Sequence, residues 1–175
     1  MKDFKITTKR LTLVPLGLKY LDDVFEYARD LENTRYMINL PSDDINDTIS
    51  FLEYVEGNWN SDVPSAYECA ILLGETFIGT VSLTLEENNS AEFGWILKKK
   101  HWGHGYMIEA ASALKEYAIN TLGIRKFIAH CDARNSGSYG VMERLGMTLK
   151  DSYGGRKNKC SDEECTELLY ELVIE

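Results

Sequence analysis

Apolar positions along this chain switch period several times, and the switches mark its elements. Arg10 to Leu16, "RLTLVPL", alternates and ends at a proline, which reads as a strand. The next stretch places Leu18, Leu21, Val24, Phe25, Ala28 and Leu31 on one face of a helix. Pro41 interrupts it. Ser42 with Asp43 and Asp44 then opens a second helix, with Ile45, Ile49, Leu52 and Val55 as its stripe. After Pro64 the period becomes two. Residues 66–97 read as three strands, turned at Gly74-Glu75 and at "EENNS", and links this short favour antiparallel hairpins. A helix follows from Tyr106 to about Thr121, burying Met107, Ala110, Ala111, Leu114, Ala118 and Leu122, with Gly123 as its stop. "RKFIAHC" is a short strand, "NSGSYGVMERLGM" holds a short helix closed by Gly146, and "ELLYELVIE" is a final strand. The predicted order βαα-βββ-α-β-α-ββ is a mixed α/β domain with a partly antiparallel sheet.

Length and composition fit one globular domain spanning 1–175, with 44% hydrophobic and 27% charged residues. No apolar run approaches the roughly 18 residues a membrane helix needs, and "MKDFKITTKRLTL" has no signal-type core, so a cytoplasmic location without membrane partners is expected. Cys69, Cys131, Cys160 and Cys165 are expected as free thiols. Cys160 and Cys165 lack two further ligands at zinc spacing, so no metal site is expected.

Charge is uneven. The net value is −9, yet residues 21–95 hold sixteen acidic and two basic side chains, while Lys98, Lys99 and Lys100 stand in a run. Two partners of opposite sign would suit this distribution, as would a merely solvated acidic face. No extended basic stripe argues for nucleic acid. The lysines precede Gly103 and Gly105 at the mouth of the predicted helix. A helix N-terminus offers unpaired N–H groups and partial positive charge, and glycines let an anion approach it. P-loop and full GxGxxG motifs are absent.

These residues carry a resemblance. "AEFGWIL", "KKKHWGHGYMIEA" and "LGIRKFIAHCDARNSGSYGVMERLGM", together about 91–147, look like the GCN5-related N-acetyltransferases (GNAT). The nearer likeness is to their branch that acetylates N-terminal amines of ribosomal proteins. "TKRLTLVPL" matches that branch's opening strand. The family's cofactor loop, Arg/Gln-x-x-Gly-x-Gly/Ala, is similar to Lys100-His101-Trp102-Gly103-His104-Gly105, with Lys100 in place of Arg/Gln. The resemblance implies a GNAT-like fold: a mixed, largely antiparallel sheet with a splayed pair of central strands, flanked by helices on both faces. It implies acetyl-CoA, with the pyrophosphate on the amides of His101 to Tyr106. Lys98, Lys99 and Lys100 would lie near the remaining phosphate charge, and the pantetheine arm beside Ile96 and Leu97. Asn135 would contact that arm or cap the helix.

For chemistry, acetyl transfer needs a neutral amine, a proton acceptor and a group to quieten the thiolate. The resemblance points to Glu92 for the amine proton, against a plain strand-edge ion pair. It points to Ser138 for the sulfur, against an ordinary first-turn residue, because the position where many relatives carry Tyr is Met142 here. Glu109 reads as structural on the helix after the loop. The implied activity is transfer of acetyl to a primary amine, either a protein N-terminus or a small cationic amine; the alternative is a non-catalytic coenzyme A-binding module. A homodimer is common for such domains.

Overall fold

A computed structural model describes residues 4–175. The elements are β1 (Ile6–Thr7), β2 (Leu11–Pro15), α1 (Leu21–Ala28), α2 (Ile45–Trp59), β3 (Ala66–Leu73), β4 (Thr76–Glu86), β5 (Ser90–Leu97), α3 (Tyr106–Tyr117), β6 (Lys126–Asp132), α4 (Ser136–Arg144), β7 (Thr148–Lys157) and β8 (Glu164–Val173). They build one eight-stranded sheet in the order β1-β2-β3-β4-β5-β6-β8-β7. Every pairing is antiparallel except β5 with β6. That parallel ladder joins only Ser90, Ala91 and Glu92 to Lys126, Phe127 and Ile128. Since β5 runs on to Leu97 and β6 to Asp132, the two central strands part beyond Glu92 and Ile128, as the family likeness implies.

Alternation along the strands assigns the two faces. Thr84, Ser82 and Thr80 of β4 stand opposite Glu92, Gly94 and Ile96 of β5. Tyr27 of α1 hydrogen-bonds Thr80, so this face belongs to α1, against which α2 packs. The other face carries α3 and α4. Phe93 stacks on Phe127 there at 5.5 Å, and Trp95 reaches Ser138 of α4. Helix α3 buries Met107, Ala110, Ala111 and Leu114. Its two buried alanines allow it to lie close on the sheet, and each fully buried aliphatic side chain of this core contributes about 1.5–3 kcal/mol.

Several boundaries differ from expectation. Strand β1 has two residues, too few for a period to show. The first helix begins with a 3-10 turn at Leu18–Tyr20 and ends at Ala28, leaving Leu31 67% exposed in the following loop. Asp44, not Ser42, caps α2 by accepting from the Asn46 N–H at 2.9 Å, and Ile45 is exposed while Thr48 takes the buried place. Helix α3 ends in a π-turn, Ala118–Leu122, before Gly123. Among the described residues no helix is long and apolar enough to cross a membrane.

Candidate active site

Between β5 and the N-terminus of α3 the chain makes a 3-10 turn, Lys99–His101, and then a reversal through Gly103 and Gly105, at φ +76° and +75°. Only glycine adopts this left-handed geometry without strain. A Cβ on Gly103 would meet nothing within 4 Å, so that residue faces open space. Gly105 is the N-cap of α3 and has no side chain to bond the first-turn amides. Arg10 braces the loop from β2's end of the sheet. Its Nη1 donates to the His104 carbonyl at 3.0 Å, its Nε to Glu109 at 2.6 Å, and its guanidinium covers the Tyr106 ring at 4.6 Å. Thr8 donates to Glu109 at 2.6 Å as well. Glu109 is thus structural, and it ties α3 to the turn between β1 and β2. Arg10 carried no signal because its partners lie almost a hundred residues away.

A cavity of about 550 Å³ opens beside this loop. Ile96, Leu97, His101, Trp102, Gly103, Gly105, Tyr106, Asn135 and Ser138 all line it. It therefore runs from the N-terminus of α3 along the open edge of β5 to the start of α4. Asn135 is the N-cap of α4, its Oδ1 accepting from the Ser138 N–H at 3.1 Å. The Trp95 indole donates to Ser138 Oγ at 3.2 Å, which fills an acceptor site, and the hydroxyl also hydrogen-bonds the Cys131 sulfur. Cys131 lies beside Ser138, and burial pushes its thiol up to about 11. His101 Nε2 is, among the described residues, a buried nitrogen without a hydrogen-bond partner. Burial, with Lys100, Lys98 and His104 adding to it, lowers its proton affinity.

Other expected residues lie elsewhere. Lys98 does not face the cavity. It is 5% exposed, and its Nζ donates to Asp23 and Glu26 of α1, both at 2.6 Å. Burial opposes its charge, yet the two carboxylates outweigh that and raise it above lysine's ordinary range. Lys99 pairs with Glu32, and exposed Lys100 does not line the cavity. Lys98 and Lys99 thus pair with carboxylates of α1 and the loop after it. The amides of His101 and Trp102 are also spent, on the carbonyls of Lys98 and Lys99. His104 stacks on Tyr106 and holds Trp102's carbonyl, outside the lining. The cavity's cations are instead Arg35, Arg134 and Arg144. Gly137, Val141 and Arg144, spaced i, i+4, i+7, show how α4 turns Arg144 to it. Lys98→Met is expected to leave coenzyme A affinity within twofold. It should lower stability by about 1 kcal/mol, since Asp23 and Glu26 are partly solvated; calorimetry and thermal melts would read both.

Glu92 lies outside the cavity, on the α1 face, with Oε1 2.8 Å from His130 Nδ1. Glu68 of β3 shares that face, and burial pushes its carboxyl up to about 7 against a hydrogen bond with Ser82. Cys160 and Cys165 donate to the carbonyls of Arg35 and Arg156.

The open approach at Gly103, the uncapped amides of α3 and the orphaned His101 nitrogen together suit a phosphate-bearing cofactor. Comparison with known proteins agrees. A family model described as an acetyltransferase (GNAT) domain matches residues 10–148. The uncharacterized N-acetyltransferase p20 of Bacillus licheniformis is 30% identical over 144 residues, 80% of each chain. RimL, a ribosomal L7/L12 alpha-N-protein acetyltransferase solved with coenzyme A, shares the fold with a TM-score of 0.85 over 98% of both chains, at 17% identity. Spermidine N-acetyltransferase from Vibrio cholerae, solved with CoA and spermine, does so at 0.80 over 95% of this chain and 96% of that one, at 16% identity. The chain belongs to the GNAT family, and is an acetyl-CoA-dependent N-acetyltransferase.

Proposed function

We propose that this enzyme acetylates a primary amine by direct attack in a ternary complex, with the donor in the cavity and the acceptor arriving from the α1 face. The observation that carries this reading is the cavity's course, which links the N-terminus of α3 to Ser138 along the parted strands. Acetyl-CoA brings an activated thioester. The chain's residues bind and orient it and manage protons. Amides from Gly103 to Ile108 would hold the pyrophosphate, with Arg144 and Arg35 for further phosphate charge. Ser138, its oxygen engaged by Trp95, would donate its hydroxyl proton toward the departing sulfur. Glu92 would belong to the path that removes the amine proton.

The acidic surface around α1 favours a cationic acceptor. Both a protein N-terminus and a small polyamine-like amine meet that description, and the two fold neighbours named above act on one of each kind by their names. The test is release of coenzyme A thiol across a panel of N-terminal peptides, polyamines and amino sugars. Amine-dependent release is expected. Its absence with every amine, alongside normal coenzyme A binding, would favour a non-catalytic binding module. Ser138→Ala is expected to lower kcat roughly 10- to 100-fold while coenzyme A affinity stays within twofold. Unchanged kcat under saturating acetyl-CoA would remove Ser138 from the chemistry.

A further inference from the structure

The α1 face of the sheet presents a row of side chains across four strands. Glu68 on β3 stands opposite Ser82 on β4, and Ser82 opposite Gly94 on β5. Gly94 is two residues beyond Glu92 and His130 two beyond Ile128, the last parallel pair, so both sit where the strands part. Gly94 matters for its bareness. A Cβ there would lie 2.7 Å from Ser82 Oγ. The His130 imidazole, leaning back to Glu92, is therefore the side chain that borders the parting of the strands on this face.

Its hydrogen bond decides the chemistry. A carboxylate only accepts, so Glu92 Oε1 at 2.8 Å takes the proton of Nδ1. The neutral ring then carries its lone pair on Nε2, for which no partner occurs among the described residues. Imidazole is the side chain whose ordinary proton exchange falls in the neutral range. Both partners keep solvent contact, with side-chain exposures of 26% for His130 and 38% for Glu92, so an acceptor amine can reach them.

We infer that His130 Nε2, not Glu92, accepts the amine proton, and that Glu92 is a positioning residue fixing the tautomer and steadying the imidazolium. This inference rests on the amine-acetylation reading above. The acceptor arrives as an ammonium and gives one proton to Nε2, which returns it to solvent. The freed lone pair forms the C–N bond as the C–S bond breaks. The second nitrogen proton leaves as the amide forms, and the sulfur gains one through Ser138. The products are amide, coenzyme A thiol and one proton.

The remaining ionisable groups of this face are otherwise engaged. Asp132 and Glu167 are held by Arg134 and Arg156, Glu171 by Lys126 and Lys150, and Glu68 by Ser82. Asp151 and Tyr153 stand on β7, one strand beyond β8, where Tyr153 hydrogen-bonds Glu167 and feels the charge of Glu92.

The test compares wild type, His130→Gln and Glu92→Gln for coenzyme A binding by calorimetry and for kcat/KM between pH 6 and 10 with one accepted amine. His130→Gln is expected to bind coenzyme A normally, lose about 100-fold or more in kcat/KM at pH 7, and recover as pH approaches the amine's own deprotonation. Glu92→Gln should keep the acid limb, with roughly tenfold lower kcat. His130→Gln within threefold of wild type with the same limb, while Glu92→Gln collapses, would overturn the inference and restore Glu92 as the base. Wild-type enzyme that binds coenzyme A but acetylates no amine would instead overturn the reading beneath it.

Discussion

Gly103→Asn is expected to fold like wild type and to bind coenzyme A about a hundredfold more weakly. Asparagine tolerates the left-handed backbone better than any residue but glycine, so the turn itself survives. The new side chain enters space where a Cβ meets nothing within 4 Å, which is the approach to the α3 amides. Two charge-assisted bonds to a pyrophosphate, at about 1.5 kcal/mol each, sum to about 3 kcal/mol, and that is close to two decades in affinity. Gly103→Val should do the same and also strain the loop by about 1–2 kcal/mol, because a branched Cβ suits φ +76° poorly. The control is an acetyl-pantetheine thioester, which lacks the pyrophosphate. Its kcat/KM with Gly103→Asn should stay near the wild-type value. Equal coenzyme A affinity in both variants and wild type would mean the phosphate is held elsewhere, and Arg35 and Arg144 would be the next positions to test.

The same loop shows what the sequence could and could not disclose. Gly103 and Gly105 were visible because a turn into a helix N-terminus favours glycine, a local demand, while Asn135 and Ser138 were visible only through the family resemblance. The lysine run misled for the opposite reason. Charge in sequence says nothing of which carboxylate a long side chain will meet, and Lys98 found Asp23 and Glu26 some seventy residues earlier. Arg10, Arg144 and His130 escaped notice on the same ground. Each acquires its meaning from a strand or helix brought beside it by the sheet. Glu92 was identified as a residue of interest, but its partner was not, because β5 and β6 become neighbours only through the crossover by α3. Periodicity located β2 to β6, β8 and the α3 core well, but not β1, with two residues, nor β7, whose side chains are nearly all exposed. It failed at Leu31 and Ile45, where apolar residues continued a helical stripe past the point at which the sheet could cover them.

The second large effect concerns stability. Asp132 ends β6 with its carboxylate fully buried. Arg134 meets it through Nε at 3.0 Å and Nη2 at 2.8 Å, the Arg134 N–H donates at 2.8 Å, and Asn158 Nδ2 adds a fourth bond at 2.5 Å. Asn158 in turn accepts from Arg156, which donates to Glu167 and to the Tyr36 carbonyl. One carboxylate therefore joins the strand leading to α4, the β7–β8 hairpin and the loop after α1. Burial alone would raise its proton affinity, but these donors hold it well below the usual carboxylate range. Asp132→Asn puts an amide among donors. It is expected to cost about 2–4 kcal/mol at pH 7, less than a wholly buried pair because Arg134 is half solvated, and so to lower Tm by roughly 5–12 °C. The sign with pH follows from the depressed value. The wild-type advantage is complete above the ordinary carboxylate range, near pH 4, and fades as acid protonates the folded carboxyl. Melting curves of the two proteins should accordingly begin to approach one another below pH 5 and go on approaching as far into acid as the fold survives. A constant gap across that range would assign the loss to packing rather than charge. Because the Asp132 carbonyl also accepts from the Asn135 N–H at 2.9 Å, the variant should loosen the turn that presents Ser138. Its kcat should fall even at temperatures where it is fully folded, and a kcat equal to wild type there would show that α4 keeps its cap without the network.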